Sequence, residues 1–152
     1  MMDYFATAFF AIFVAIIALK IAVARQRKRI ATAQRLKTPA FAWERSKKFA
    51  VNVVGESHYQ ENIERAVESI FGKSVEIEAI LVPENTNPFD DKAIMVMILG
   101  ETVGYLSRAE ARKFRARLKR KNMEGQNTSC AASFIGGGRD KSYGVVLDLK
   151  SF

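Results

Sequence analysis

Residues 93–106 read AIMVMILGETVGYL, and this stretch decides the fold class. Apolar side chains fill 93–99, Gly100-Glu101 supplies a tight turn, and Thr102–Leu106 runs back as a shorter strand, so we predict a β-hairpin. On both sides of it, apolar residues alternate or cluster between turn formers. These patterns predict further strands at 49–54, 75–82, 128–135 and 143–149.

Two helices are predicted beside the strands. Residues 60–71 place Ile63 and Ala66 at helical spacing, and Gly72 follows as a stop signal. Ser107 and Glu110 form a capping box that opens a second helix, which should run to about Lys121. Its apolar stripe consists of Ala111, Phe114 and Leu118. Six strands and two short helices predict a mainly β fold, a small closed barrel with peripheral helices.

An apolar segment precedes this domain. Residues 4–24 contain two side chains that are not apolar, Thr7 and Lys20. As a helix the segment would span about 31 Å, close to the roughly 30 Å of bilayer hydrocarbon. The basic residues that follow at once favour retention of that end in the cytoplasm. We predict a single-pass anchor at 1–24 in the inner (cytoplasmic) membrane, with the N-terminus outside and the C-terminal domain in the cytoplasm.

Two other interpretations of this segment stay open. Ala22-Val23-Ala24 resembles a signal-peptide cleavage site, although Asp3 precedes the apolar region where a signal peptide carries positive charge. A buried helix of a soluble protein is the other interpretation, although such a helix normally keeps one polar face.

The net charge of +8 is concentrated in one segment. Residues 25–48 carry nine Lys or Arg against Glu44, whereas the parts of the chain before and after are each neutral. We interpret 25–46 as a basic juxtamembrane linker, with direct contact to nucleic acid as the alternative. The residues predicted to contact anionic membrane lipid are Arg25, Arg27, Lys28 and Arg29. Phe41 and Trp43 lie either along the membrane surface or on the domain, which is predicted to occupy 47–152.

The sequence lacks the motifs of common enzyme classes. No Gly-Lys-Ser/Thr follows the glycines at 136–138, and no Gly-x-Ser-x-Gly elbow occurs. One cysteine excludes a disulfide framework within the chain, and one cysteine with one histidine argues against a structural zinc site. Cys130 lies within a predicted strand, which indicates a buried structural thiol. We therefore predict a non-enzymatic protein without a cofactor; an accessory to an enzyme, with undetected chemistry, is the remaining alternative.

Three stretches together carry a resemblance. They are VVGESHY at 53–59, PENTNPFDDKAIMV at 83–96 and VGYLSRAEA at 103–111. In order and spacing they resemble the HIRAN domain, a small module found at the N-terminus of some SWI/SNF-type DNA translocases and in stand-alone bacterial and phage proteins. The resemblance covers about residues 47–149, including Phe134 before the late glycines.

The resemblance implies an OB-like β-barrel that grips the 3′ end of single-stranded DNA. In the translocases, an aromatic–Asp pair in the Asn-Pro loop holds the terminal nucleotide, and further aromatic and polar residues complete the pocket. The matching positions here are Phe89, Asp90, His58, Tyr105 and Phe134, with Asn85 and Asn87 shaping the loop. The chain departs from the family at Ser57-His58, which stand in place of Arg-Tyr, and at Phe89, which stands in place of tyrosine.

The chemistry of these residues fits that role in part. A carboxylate such as Asp90 accepts a hydrogen bond from a 3′-hydroxyl but repels a 3′-phosphate. Phenylalanine rings stack on bases without reading sequence. The alternative interpretation makes Asp90 and Asn87 turn formers and makes Phe89 and Phe134 core residues.

The second predicted helix is strongly basic, with eight Lys or Arg against Glu110 in residues 108–121. We predict that it follows a phosphate backbone. The residues assigned to this contact are Arg108, Arg112, Arg115 and Lys119. Contact with anionic lipid and a merely solvated face are the alternatives.

Together these observations predict a membrane-anchored module that binds single-stranded DNA, its 3′ end or another nucleic acid. The alternative is a membrane-tethered adaptor that binds a protein partner, with a HIRAN-like pocket that no longer binds DNA.

Overall fold

The computed structural model describes residues 38–72, 76–138 and 141–150, together with Ile17, Lys20 and Ile21. The chain divides into two compact units, Met1–Arg35 and Leu36–Phe152. In the first unit the three described residues are helical and exposed. Within the described residues, no helix has the length and hydropathy needed to cross a bilayer. The predicted anchor otherwise lies outside the described residues, as do the basic positions 25–29.

The second unit contains seven strands and two α-helices. The strands are β1 (Phe41–Ala42), β2 (Val51–Val54), β3 (Ile77–Pro83), β4 (Ile94–Ile98), β5 (Glu101–Leu106), β6 (Thr128–Gly136) and β7 (Tyr143–Leu147). The helices are α1 (Gln60–Ile70) and α2 (Arg108–Arg120), and a 3₁₀ turn covers Glu56–His58. The predicted mainly β class is confirmed, as are six strands and both helices; β1 was not predicted.

Six of the strands close into a barrel. Their order around it is β6-β3-β4-β5-β2-β7, and β7 pairs with β6 to complete the ring. All six ring pairings are antiparallel, whereas β1 is parallel to β6 and extends the sheet outside the ring. Alternate residues such as Leu81, Val96 and Val145 are fully buried and fill the interior.

Residues 93–106 form the β4–β5 hairpin, as their sequence predicts. Ile94, Val96 and Ile98 face the core, with Met95 and Met97 between them half-buried. The turn lies at Leu99-Gly100, one residue before the predicted position, and both residues have positive φ, 51° and 87°. Two positive φ values match the right-handed twist of paired strands, as in a type I′ turn.

Gly104 allows β5 to approach β2 closely. Its φ is 148°, and a Cβ there would lie 2.5 Å from Val53 Cγ1 and 2.6 Å from the Val54 carbonyl oxygen. No larger residue fits this approach without displacing backbone. The glycine of the Gly-Tyr-Leu motif therefore fixes the register that places Tyr105 opposite Val54.

Both helices pack on the barrel through the stripes that the sequence predicts. Helix α1 buries Ile63 and Ala66, and α2 buries Ala111, Phe114 and Leu118. The α2 cap differs in one detail from the predicted box. Ser107 Oγ accepts from the Glu110 N–H at 3.3 Å and donates to the Glu110 carboxylate at 2.8 Å. The glutamate therefore bonds the cap hydroxyl, which still anchors the first turn.

The segment before β2 packs with the barrel and includes part of the stretch predicted as a linker at 25–46. Trp43 is 6% exposed and lies in the core. Its Nε1–H donates to Thr128 Oγ1 at 3.0 Å, and its ring meets Phe114 edge to face with 5.6 Å between centroids. An aromatic ring this well enclosed stabilises a fold by several kcal/mol, about 3–5 for Trp. The compact unit begins at Leu36.

A buried carboxylate fastens the end of this segment. Asp148 is fully buried and accepts hydrogen bonds from the backbone N–H groups of Ser46, Lys47 and Lys48 and from the Ser46 hydroxyl. Burial by itself raises the pKa of Asp148, but these hydrogen bonds together outweigh burial and lower it. The turn also holds Lys47 and Phe49 at positive φ, 60° and 43°, which side-chain-bearing residues rarely adopt.

Candidate nucleic-acid interface

An open pocket of about 410 Å³ lies where the loop after β3, the end of β5 and the starts of both helices meet. We call residues 84–92 the Asn loop. The pocket is lined by Val54, Tyr59, Glu84, Asn87, Pro88, Phe89, Asp90, Ala93, Tyr105, Leu106 and Arg108. Four of the residues predicted from the family match therefore share one pocket: Asn87, Phe89, Asp90 and Tyr105.

Asn87 organises the Asn loop. Its Oδ1 accepts from the N–H groups of Phe89 at 2.9 Å and Asp90 at 3.2 Å, and its Nδ2 donates to Glu84 Oε2 at 2.8 Å. An asparagine that bonds its own backbone two residues on makes a compact turn without help from a strand. The turn directs the Phe89 and Asp90 side chains to the pocket.

Phe89 stands at the rim with 84% of its surface exposed. The interpretation of this ring as a core residue is therefore wrong. An aromatic face held in solvent by a fixed loop is available for stacking. Because apolar burial stabilises a fold, an exposed ring at this position contributes little to stability.

Asp90 has two separate environments. Its Oδ1 accepts from the Lys92 N–H at 2.9 Å, as a turn former would, and its backbone carbonyl accepts from the Ala93 N–H. Its Oδ2 lies 3.9 Å from Arg108 Nε, and the side chain is 13% exposed. The loop contact thus occupies one carboxylate oxygen, and the other lies beside a cationic group at the pocket.

Two tyrosines and a glutamate also line the pocket. The Tyr59 and Tyr105 rings lie 6.3 Å apart at 49°. Burial, followed by the hydrogen bond with Tyr59 and the charge of Glu84, raises the pKa of Tyr105. The Tyr105 phenol therefore stays protonated at neutral pH, so it can donate as well as accept a hydrogen bond.

Arg108 and Arg115 contact the Asn loop from α2. Arg108 Nη2 donates to the Phe89 carbonyl at 3.4 Å, and its side chain is 72% exposed at the pocket mouth. Arg115 is committed to the loop. Its Nε and Nη2 donate to the carbonyls of Lys92 at 3.2 Å and Ala93 at 3.0 Å, and its Nη1 donates to Asn85 Oδ1. Desolvation lowers the pKa of Arg115, but an arginine stays charged.

Four basic residues form one edge of α2, which we call the pocket edge: Arg108, Arg112, Arg115 and Lys119. Arg112 and Lys119 are exposed and lie outside the pocket lining. Arg112 Nη1 donates to the carbonyl of Arg108 at 3.3 Å. Of the four predicted phosphate contacts, Arg115 is thus a loop-holding residue, whereas the other three reach solvent.

Three of the residues predicted from the family match lie outside the pocket lining. His58 is exposed at the end of the 3₁₀ turn, Phe134 packs partly buried against the core, and Asn85 bonds Arg115 on the outside of the loop. For Phe134, the packing agrees with the alternative interpretation as a core residue.

Tyr59 and Glu84 are the polar lining residues that the sequence interpretation did not assign to the site. The turn after Gly55, whose φ is 81°, carries the chain past Ser57 and His58, so the residue that reaches the pocket is Tyr59. The sequence contained an indication of the role of Tyr59, because the start of a helix fixes the position of an aromatic residue that directly precedes it. Glu84 carried no comparable signal, since an acidic residue beside a loop is ordinary.

The thiol of Cys130 is buried in the barrel. Burial raises the pKa of Cys130 to about 12, so the thiol stays protonated at neutral pH. Cys130 is 3% exposed, which confirms the predicted burial. Within 38–72, 76–138 and 141–150, no three His, Cys, Asp or Glu side chains are grouped to hold a metal ion.

Comparison with known proteins leaves the family open. No protein-family model matches the chain, and no curated protein matches it. A solved structure of a Lactobacillus plantarum protein from a structural genomics consortium is similar to it, with 24% identity and a TM-score of 0.36. The match covers 65% of this chain and 91% of that one. A similarity this distant supports no inference about function.

Proposed function

We propose that this protein is a membrane-anchored, non-enzymatic module of the HIRAN type that binds the 3′ end of single-stranded DNA. The proposal includes an OB-like arrangement of the barrel, a single-pass anchor at 1–24 and a cytoplasmic domain. One observation carries it: the exposed Phe89 ring and the Asp90 carboxylate stand side by side in one pocket with Tyr59 and Tyr105.

Each part of the pocket has a chemical role in this proposal. Phe89 stacks on a base, and Asp90 Oδ2 accepts the hydrogen bond of the terminal 3′-hydroxyl. Arg108, exposed at the mouth, contacts the next phosphate and supplies the charge that the family's arginine would give at Ser57. Tyr59 supplies the aromatic surface that His58 does not bring to the pocket.

The test compares two oligonucleotides that differ at the 3′ end. The full chain, in detergent or nanodiscs, is titrated with one labelled strand ending in 3′-hydroxyl and with the same strand ending in 3′-phosphate. We expect micromolar affinity, about −8 kcal/mol, and a preference for the hydroxyl of about 1–3 kcal/mol, roughly 5- to 150-fold. Asp90→Ala should remove most of the preference, whereas Phe89→Ala should weaken both ligands together.

A second candidate function is supported by the pocket's charge. Glu84 and Asp90 bring two carboxylates to one pocket with two tyrosines and an exposed phenylalanine. Such a group also suits a cationic side chain of a protein partner, which is the adaptor alternative.

The titrations distinguish the two candidates. No binding of any single strand at low salt, or equal binding of both 3′ ends, would reject end capture. Binding of a lysine-containing peptide that Glu84→Gln weakens would then favour the adaptor.

A further inference from the structure

A second basic surface lies on the other side of α2, across the buried stripe from the pocket edge. The Arg117 guanidinium lies 4.1 Å from the centroid of the Trp43 ring. Lys121 Nζ lies 5.2 Å from the Phe41 ring and 5.8 Å from the Trp43 ring. Arg117 Nη1 also approaches the carbonyl of Lys150 at 3.5 Å. We call these five residues the β1 edge.

The β1 edge carries an excess of positive charge. Lys121 is exposed, and the Lys150 side chain is 60% exposed. Glu44 is the acidic group placed against this edge by the described contacts, with its Oε2 3.6 Å from Lys150 Nζ. It is itself 86% exposed, so this ion pair is weak. Three cationic groups against one carboxylate leave the edge net positive.

The aromatic rings of the β1 edge are covered, and this distinguishes a lipid partner from a nucleic-acid partner. Trp43 is 6% exposed, and Phe41 is half-buried beneath Lys121. A protein that binds single strands combines cations with exposed rings on which bases stack. The β1 edge offers the cations without an open ring, whereas phospholipid head groups require only the cations.

The position of the edge in the chain favours the same partner. Residues 25–37 carry six Lys or Arg and no acidic residue, and they run directly into β1. If the predicted anchor ends at Ala24, the chain to Phe41 reaches at most about 60 Å even when fully extended. A tether this short holds the β1 edge at a high local concentration near the bilayer surface.

We propose that the β1 edge docks on anionic phospholipid head groups. Because the pocket edge lies on the other side of α2, this docking leaves the pocket accessible. The proposal rests on the membrane anchor of the proposed function, but it does not depend on what the pocket binds. Each Lys or Arg near an anionic surface contributes about fivefold to such an equilibrium, and salt screens the contribution.

The sole tryptophan of the chain makes the proposal measurable, because all indole emission comes from Trp43. The full chain is reconstituted in vesicles of phosphatidylcholine alone, or of phosphatidylcholine with phosphatidylglycerol in a three-to-one ratio. Each composition is prepared with and without a small fraction of phospholipid that carries a dansyl group on its head group, which quenches nearby indole emission by energy transfer. We expect stronger quenching in the anionic vesicles, with the difference lost at high salt.

Variants separate docking at this edge from a general charge effect. Arg117→Gln with Lys121→Gln should lower the docking equilibrium at least tenfold, so that quenching falls to the neutral-vesicle level. Arg112→Gln with Lys119→Gln removes the same charge from the pocket edge and should leave quenching unchanged. Lys121→Gln with Lys150→Gln preserves the Arg117–Trp43 stack and should still reduce quenching, in case loss of Arg117 perturbs the fold.

Three results would overturn the proposal. One is equal quenching in neutral and anionic vesicles. Another is an equal loss of quenching in the pocket-edge variant. The third concerns a single-stranded oligonucleotide. If the oligonucleotide changes Trp43 emission, if the β1-edge variant abolishes that change, and if anionic vesicles cause no change, this edge binds nucleic acid instead.

Discussion

The two edges of α2 carry the same residue types, lysine and arginine, but these side chains have different roles. On the pocket edge, the Arg115 guanidinium donates hydrogen bonds to the Asn loop, and Arg108 lies between that loop and solvent. On the β1 edge, Arg117 and Lys121 lie over aromatic rings that are already part of the core. One edge fastens a loop and the other covers a tryptophan.

This difference shows that the charge of a helix does not measure its capacity to bind an anion. A guanidinium that donates to two carbonyls and a side-chain amide has few donors left for a phosphate. The Arg117 guanidinium instead lies with its charge over the indole ring, and one of its N–H groups reaches the Lys150 carbonyl. The two edges therefore make separate predictions for stability and for binding.

The largest effect is expected where the β1 edge meets the core. Trp43→Ala should lower the free energy of unfolding by about 3–5 kcal/mol, because it removes a buried ring. Trp43→Phe should cost less, since an apolar ring is retained and the hydrogen bond to Thr128 is lost. Unfolding of the full chain in denaturant, followed by circular dichroism, measures both.

Phe71→Ala is the matched control, because Phe71 is 85% exposed. Its substitution should change stability by no more than about 0.5 kcal/mol. If Trp43→Ala costs as little as Phe71→Ala, the β1 edge is a surface feature and the comparison between the two edges fails.

The next effect concerns the Asp148 clasp, which is the set of hydrogen bonds from residues 46–48 to the Asp148 carboxylate. The pKa of Asp148 is lowered in the folded state, so its carboxylate stabilises the fold above the unfolded value of about 3.9. That stability is lost as the pH falls below this value through the folded pKa. Asp148→Asn should cost about 2–3 kcal/mol at neutral pH, because a buried charged acceptor of several hydrogen bonds is removed.

The pH profile checks this assignment. Stability of the natural protein should fall more steeply with acid below about pH 4 than stability of the Asp148→Asn variant. Asp91→Asn, whose side chain is 71% exposed, should follow the natural protein. Parallel profiles for the natural protein and Asp148→Asn would show that the clasp is not held by ionisation.

Much of the barrel follows from local pattern. Alternation identified the strands, helical spacing identified Ile63 and Phe114 as core, and glycine with a turn former located the hairpin to within one residue. The pattern did not show that β1 and Trp43 belong to the barrel unit. Two residues of parallel pairing have no periodicity of their own, and their place depends on contacts with residues more than eighty positions away.

The part of the candidate site that could be predicted from the sequence is the part in which side chains form hydrogen bonds within their own loop. The Asn-Pro turn itself implies the hydrogen bonds of Asn87, and Asp90 follows within the same turn. Tyr59 was not assigned to the site and the loop contacts of Arg115 were not predicted, since both depend on how helices meet the loop. Helical spacing places Arg115 on an edge but does not reveal which backbone carbonyls lie against that edge.

Arg115 provides the next prediction. Arg115→Lys should loosen the Asn loop by about 1–2 kcal/mol, because an ammonium cannot reproduce a planar fork of three hydrogen bonds. Faster amide hydrogen exchange at Phe89, Asp90 and Lys92 would measure this loosening. Arg112→Lys serves as the control, since Arg112 is exposed. Unchanged exchange in Arg115→Lys would show that the loop holds its shape without α2.

The smallest effect distinguishes positioning from charge along the pocket edge. Arg112→Gln and Lys119→Gln should each reduce the slope of log affinity against log salt by about 0.7, because each removes one phosphate contact from a single strand. Arg115→Gln should lower affinity at every salt concentration with little change of slope, since its guanidinium already bonds the Asn loop. Titrations of one labelled strand at several salt concentrations measure all three variants. An equal loss of slope in Arg115→Gln would mean that this arginine leaves the loop to meet phosphate, and the contrast between the two edges would then rest on Trp43 alone.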